Sequence, residues 1–448
     1  MSEWKKVKIG DFLHQYRNTM YVEDSEIYRQ ITISSKVGIK YRCSKIGKEI
    51  GRKRQFKIDL KNNPNTVIFT RQGLHEGSIG IAPQEVDGCI VTENMPMFSI
   101  DESIVLSAYL KLLFKYSLFT ELIGILTPTG SAQKSIHERD LLPLEISIPD
   151  LSTQKAIVEN LSHQLMKNED LLQEIEKQKS LVKQLRQNIL QDAIEGKLTE
   201  EWRKNNPVIK GNPDFDAEAL FEKIQEEKKK CKNEKLQEPI FEEEIDIPSN
   251  WKYPSLFEIT RQITDGTHMT PSYVKNGEIF LSAQNVKPFR FIPENHKYVS
   301  KTDFDVYRNN RMPEINDILM ARVGAGIGEA AVIDTNLQFA FYVSLCLIKI
   351  FPKILDSNYL TIVLNSSYGV RYAKNNISSS GASAGNYNLG HIRALKVPLP
   401  PLAEQKEIVR VVESQLAKVD QLEKQITERE IMTKQLMQSI LKDAFGEG

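Results

Sequence analysis

Two short stretches of the chain carry side chains suited to contacts with a polar ligand. TPTGSAQKSIH spans 127–137 and SSSGASAGNYN spans 378–388. Gly and Ser let a backbone approach closely, and Gln, Lys, His and Asn supply hydrogen-bond donors. Such loops can touch phosphates or base edges, and they can equally be plain turns. A third stretch, KVGIKYRCSKIGKEIGRKRQFK at 36–57, holds nine Lys/Arg against one Glu, a local +8. It favours phosphate by Coulomb attraction and counterion release, although a solvated surface has the same composition. Arg71 and Arg322 stand at equivalent places, 251 residues apart. Arg is the commonest reader of guanine and a good phosphate clamp, and an Arg bridging strand ends is the structural alternative.

Residues for covalent chemistry do not assemble. The chain has no G-x-x-x-x-G-K-[ST] loop and no His/Glu zinc pattern. GAGIG at 324–328 is too short for a dinucleotide fingerprint and lacks the strand–helix context. An acidic or amide residue before Pro-Pro-aromatic, the amino-methyltransferase signature, is missing: Pro400-Pro401 lie between Leu399 and Leu402. His75, His137 and His268 are isolated. The residues describe a reader, not a reactor, with no metal or cofactor bound by the chain itself.

The remaining composition bounds the class. The chain has 448 residues, 59 Lys+Arg and 59 Asp+Glu, so its formal charge is zero and a basic face is offset elsewhere. The offset lies at 216–246, with eleven acids and six bases. Four separated cysteines, without C-x-x-C, suit a reducing cytoplasm. No apolar run approaches the ~20 residues a membrane span needs, and the N-terminus lacks an apolar signal core.

What positions the polar stretches is a duplication. IPDLSTQKAIV, from Ile148, returns as PLPPLAEQKEIV, from Pro398. At an offset of 251 the register holds from Pro149 to Ala193, with 19 of 45 positions identical. NTVIFTRQGLHEG at 65–77 falls on NDILMARVGAGIG at 316–328. Each half is therefore a variable block followed by a repeated element. The blocks read as mixed α and β. ITISSKVGIKYR and NDILMARV are strand-like, and IVLSAYLKLLFKYSLFTELIGIL is helical in period.

The repeated element carries a 4-3 heptad seam. Apolar in both copies are Ile157/Ile408, Leu161/Val412, Leu171/Leu422, Ile175/Ile426, Leu185/Leu436 and Ile189/Ile440. Proline precedes each start, and Gly196 and Gly446 resemble stops. About 43 residues at ~1.5 Å per residue give a helix of roughly 64 Å. Its partner is its own copy, as an antiparallel intramolecular pair, or a second chain in a homodimer. The first arrangement has the higher local concentration and would place the two blocks at opposite ends of a spacer. The expected fold is α+β: two mixed α/β domains, an antiparallel pair of long coiled-coil helices and a pseudo-two-fold internal repeat. Its segments are 1–150, long helix 151–197, charged connector 198–247, second block 248–400 and long helix 401–448.

The two helix-opening motifs, QNILQDAIEGKLTEEWR after the first helix and QSILKDAF near the C-terminus carry a resemblance across nearly the whole chain. The pattern resembles the specificity (S) subunit of type I restriction-modification systems. The first motif has Thr153 where the second has Glu404, so an acid at this place is not common to both.

The resemblance implies two target-recognition domains, each reading one half of a bipartite, asymmetric site in double-stranded DNA. The helices would set the gap and dock two methyltransferase subunits, which would use S-adenosylmethionine to methylate adenine N6 on a flipped base. Motor-nuclease subunits, using ATP and Mg, would cut unmodified DNA. The setting would be the cytoplasm, with no membrane partner.

Candidate DNA contacts in the first block are Arg42, Lys45, Arg52, Lys53, Arg54, Arg71, Ser131, Gln133 and Lys134. In the second block they are Thr267, His268, Asn285, Arg322, Ser380, Asn386 and Asn388. The alternative is a coiled-coil scaffold with two protein-binding domains. The +8 stretch speaks against it, but the second block lacks an equally basic run.

Overall fold

The structure is a computed structural model that describes residues 4–35, 38–115, 119, 135–231, 237–378 and 385–445. The chain forms two compact units of mixed α and β structure. One comprises Met1–Glu176 with Thr427–Gly448, the other Lys177–Ile426. Each unit thus contains a variable block and parts of both long helices, Leu151–Ile194 and Leu402–Phe445.

The first unit is built on an antiparallel four-stranded sheet, in the order Leu13–Tyr16, Met97–Ile100, Val67–Phe69, Ile79–Ile81. Phe69, Phe98, Tyr109, Leu110 and Ile146 fill the core beneath it. A five-stranded sheet adds the basic region, in the order Thr19–Tyr21, Arg54–Lys57, Ile90–Val91, Ile27–Ser34, Gly38–Ile46. Its own core is β-branched and aromatic, with Ile31, Ile33, Ile58, Phe56 and Val91 buried, as a pleated surface favours.

The second unit repeats the first sheet as Gln262–Asp265, Leu345–Lys349, Ile318–Ala321, Ala330–Val332, again antiparallel. All four residues of Ile318–Ala321 are buried, so the strand reads as an unbroken apolar run rather than an alternating one. The stretch NYLTIVLNSSYGVRYAK at 358–374 folds as two helices, Ser357–Asn365 and Ser367–Asn375. Ser366 breaks the run because its hydroxyl caps the second helix, accepting from the Gly369 amide at 3.2 Å.

The repeated motif has a mechanical meaning. Gln154, fully buried, accepts from the Leu106 amide at 2.8 Å and donates to the carbonyls of Ile104 at 3.1 Å and Pro149 at 2.8 Å. Gln405, also fully buried, accepts from the Asp356 amide at 3.0 Å and donates to the Pro400 carbonyl at 3.0 Å. In both units the glutamine ties the start of a long helix to the loop opening the block's own helix. A side chain without donor and acceptor together would leave buried backbone groups unpaired.

The seam is narrower than its sequence pattern. Leu161, Ile175 and Ile189 are buried, as are Val412 and Ile426, while Ile157 and Ile440 are half-buried. Ile408 is also buried, but Leu171, Leu185, Leu422 and Leu436 are 37% to 55% exposed. One heptad position is covered along each helix and the other turns outward through its middle. In the first unit Leu161, Leu165 and Leu441 form a buried cluster, and the Phe445 ring lies 5.3 Å from Tyr109. In the second, Arg186 pairs with Asp420 and Glu423.

The charged connector is more ordered than a flexible linker. The first long helix stops at Gly196, whose φ of 71° is left-handed. A Cβ there would fall 2.6 Å from Pro248 Cγ, so glycine is required twice over. Two helices follow, Glu200–Asn205 and Ala217–Lys228, the second anchored by buried Leu220 and Ile224. Gly446, the other expected stop, lies outside the described residues.

Candidate nucleic-acid interface

The basic run folds into the outer part of the five-stranded sheet. Gly38–Ile46 is its edge strand, and Lys40, Tyr41, Arg42 and Lys45 on it are exposed. The pairing with Ile27–Ser34 matches Gln30 to Cys43 and Ile31 to Tyr41, so Arg42 is the extra residue of a β-bulge. A bulge bends an edge strand and re-aims its side chain. Arg29 lies over the Tyr41 ring at 5.3 Å. Arg52 and Arg54 are exposed, with Arg52 3.9 Å from Glu93 and Arg54 over Phe56 at 5.7 Å. Lys53 is engaged within the unit, bound to Asp24 and to the Gly47 carbonyl at 2.9 Å.

The two equivalent arginines occupy one architectural position. The Arg71 amide donates to the Asn94 carbonyl at 3.0 Å, and its carbonyl accepts from Ile136 at 2.8 Å. The Arg322 amide donates to Ser344 at 2.9 Å, and its carbonyl accepts from Tyr387 at 3.0 Å. Each arginine thus ties a sheet strand to the residues beside its polar stretch.

The side chains differ. Arg71 forks onto Glu138, Nε to Oε2 at 2.9 Å and Nη2 to Oε1 at 2.7 Å, and Gln15 donates to Oε1 at 3.0 Å. Burial pushes the Glu138 carboxyl up, but the Arg71 fork and the other hydrogen bonds outweigh it and hold it below the usual glutamate range. Arg322 donates through Nη1 to Asp265 Oδ2 at 2.6 Å and through Nε to the Tyr387 carbonyl at 2.9 Å.

These positions alter the expectations. Arg322 is buried, with its guanidinium committed to internal acceptors, so it is a strut rather than a surface reader. Arg71 is half-buried and forked onto Glu138. Asn285 is fully buried: Oδ1 accepts from Ser282, and Nδ2 donates to the carbonyls of Ile292 and Asn295. Thr267 is buried, and its hydroxyl accepts from the Met269 amide at 3.2 Å. Both face inward because tight turns here need local acceptors and donors. Asn388 is exposed, but its Oδ1 caps the short helix Leu389–Ala394 through the Gly390 amide at 2.7 Å. His268 and Asn386 are exposed. Ser131, Gln133, Lys134 and Ser380 lie outside the described residues.

Sequence reasoning missed Glu138, Asp265, Gln15 and the cluster around Glu404. Glu404 is fully buried and accepts from Thr199 at 2.7 Å, Arg203 at 2.6 Å and Trp251 Nε1 at 2.9 Å. The hints of it in the sequence are Glu404 standing where the first motif has Thr153, and the return of Trp4-Lys5 as Trp251-Lys252. Among the described residues there is no cluster of His, Cys, Asp and Glu that could hold a metal, and no helix long and apolar enough to cross a membrane.

Comparison with known proteins follows the duplication. The family described as type I restriction modification DNA specificity domain matches at residues 1–178 and again at 260–429. The EcoBI specificity subunit of a type I restriction enzyme from Escherichia coli is 27% identical over 345 residues, 75% of this chain and 65% of that protein. The StySPI specificity subunit from Salmonella potsdam is 24% identical over 352 residues, 77% and 66% respectively. The chain therefore spans about two thirds of the length of such relatives. A chain solved in work on complex assembly and conformational transition of the type I R-M system has the same fold. It is 16% identical with a TM-score of 0.62, covering 99% of this chain and 97% of that one. With the family's domain matched twice, over most of its length, this chain belongs to the type I restriction-modification DNA specificity family.

Proposed function

We propose that this chain is the non-catalytic, sequence-specific DNA-recognition subunit of a type I restriction-modification complex. One variable block would read each half of a bipartite, asymmetric site. The observation that carries this reading is the match of the specificity domain onto two similar sheets, each with an arginine anchoring a polar stretch. The exposed basic strand with Arg42, Lys45 and Tyr41 supplies phosphate contacts and an aromatic face on the first block. Arg52 and Arg54 extend that surface.

The long helices act as the spacer between readers, an antiparallel coiled coil whose length sets the unread gap. Their outward leucines, Leu171 and Leu436 in one unit and Leu185 and Leu422 in the other, are docking surface for two methyltransferase subunits. Those partners bind S-adenosylmethionine, and motor-nuclease subunits bring ATP and Mg, all in the cytoplasm.

Salt dependence tests the reading. The complex with its methyltransferase subunits is titrated with duplex DNA between 50 and 200 mM salt, the range over which phosphate-dominated binding falls by roughly 10³–10⁵ for six to ten contacts. A steep loss is expected. Binding that ignores salt, or no DNA binding by an assembled complex, would favour a coiled-coil scaffold with two protein-binding domains.

A further inference from the structure

We propose that His268 determines specificity in the second block, accepting a hydrogen bond from an exocyclic amino group on a base edge, and that Asp265 and Arg322 position its ring. This rests on the DNA-recognition reading above.

The geometry is a relay from a buried base to an exposed tip. Arg322 Nη1 and His268 Nε2 meet the same oxygen, Asp265 Oδ2, at 2.6 and 3.0 Å. Only 4% of the Arg322 side chain is exposed and 12% of Asp265, but 68% of His268. A carboxylate oxygen that accepts from Arg322 also accepts from the ring, which places the ring proton on Nε2. Nδ1 of the neutral imidazole is then an acceptor. In the major groove its complement is the amino group of adenine N6 or cytosine N4.

The backbone leading to His268 is fixed as firmly as the ring. The Thr267 amide donates to the Phe341 carbonyl at 3.0 Å, and its carbonyl accepts from Val343 at 3.0 Å. Gly266 lies so close that a Cβ would stand 2.2 Å from the Phe341 carbonyl oxygen. Arg322 also holds Tyr387, the neighbour of exposed Asn386, and Val323 bridges to Asn386. The ring is thus tied to Asp265 on one side and open to solvent on the other.

Among its described residues the first block shows no such relay. Met97 lies opposite Ile68 as Leu347 lies opposite Leu319, so Tyr16 stands at the place of Thr264 and the next residue, Arg17, at the place of Asp265. Two blocks that read different half-sites would differ at this place.

The test uses the full chain assembled with its methyltransferase subunits and S-adenosylmethionine, acting on a randomised duplex library read by sequencing of N6-methyladenine. His268→Ala is expected to lower discrimination at one base pair of one half-site by roughly 5–100-fold, leaving the other half-site unchanged. His268→Arg, which replaces the acceptor with donors, should move the preference at that pair toward guanine. Asp265→Asn should relax the same pair more weakly. Unchanged discrimination in His268→Ala, beside a wild type with a clear two-part motif, would overturn the proposal and leave the DNA reading intact. Uniform loss at every position together with lowered thermal stability would also overturn it, by giving His268 a structural role. No two-part motif from the wild type would remove the DNA reading itself.

Discussion

At the first turn of its long helix, the first unit has Thr153, half-buried, its amide and hydroxyl donating to the Asp150 carboxylate. At the same place the second unit has Glu404, fully buried between Thr199, Arg203 and Trp251. One step along, both units carry the same buried glutamine. The glutamine is common because the joint between block and helix is common. The glutamate serves a neighbour that the first unit does not present among its described residues: the segment Lys197–Asn205 that follows the first long helix. Arg203 reaches it and also lies over the Trp251 ring at 5.6 Å. Trp4, the sequence counterpart of Trp251, is only half-buried. A duplicated gene segment thus keeps its hinge chemistry and varies the closure around it.

The comparison breaks most visibly at that glutamate. Glu404→Ala leaves the half-buried Arg203 guanidinium without its carboxylate and the buried Trp251 indole N–H without its acceptor. We expect a loss of roughly 3–5 kcal/mol in the second unit, against less than about 0.5 kcal/mol in the first for Thr153→Ala. Hydrogen exchange resolved by segment measures both. Equal effects in the two units would refute the asymmetry.

Gln154→Leu and Gln405→Leu probe what is shared. Each strands buried backbone partners, and each should cost roughly 2–3 kcal/mol in its own unit. Urea unfolding followed by the same segment-resolved exchange reads them. Costs that differ by several-fold would mean that the joints are not equivalent.

Glu138→Gln sharpens the contrast between the arginine anchors. The Glu138 carboxyl titrates below its ordinary value when folded, so its contribution is present above about pH 4.5 and is lost as pH falls through the lower folded value. At pH 7 the variant should be less stable by roughly 1–3 kcal/mol. That gap should close in thermal melts as the pH falls below about 4.5, because the wild type loses what the variant never had. A gap independent of pH would contradict the role given to the Arg71 fork.

The smallest effect on folding belongs to the exposed leucines. Leu171→Ala, Leu185→Ala, Leu422→Ala and Leu436→Ala should each change stability by less than about 0.5 kcal/mol. Together they should weaken assembly with the methyltransferase subunits, measured by sedimentation. A large stability loss would mean that these residues are covered within the chain.

Much of this frame was legible in the sequence. The 251-residue offset located the helices, the two sheets and the equivalent arginines, because repeated local patterns specify repeated local structure. What escaped was chemistry between residues far apart in the chain. Arg71 meets Glu138 across 67 positions, and Glu404 meets Thr199 across 205. No local period encodes such pairs. Asp265 has Arg17, not an acid, at the corresponding place in the first block, so the repeat itself concealed it. The seam misled in another way. Heptad spacing shows which residues share a face, but not how wide an arc a neighbour covers, and Leu171 and Leu422 lie beyond that arc.

The most direct test of the central claim is a genome-wide map of N6-methyladenine in cells expressing this chain with its methyltransferase subunit. Two reading blocks on one spacer predict a single two-part motif with a fixed gap and two unrelated half-sites. Methylation at a single continuous motif, or none from a complex shown to be assembled and supplied with S-adenosylmethionine, would contradict it.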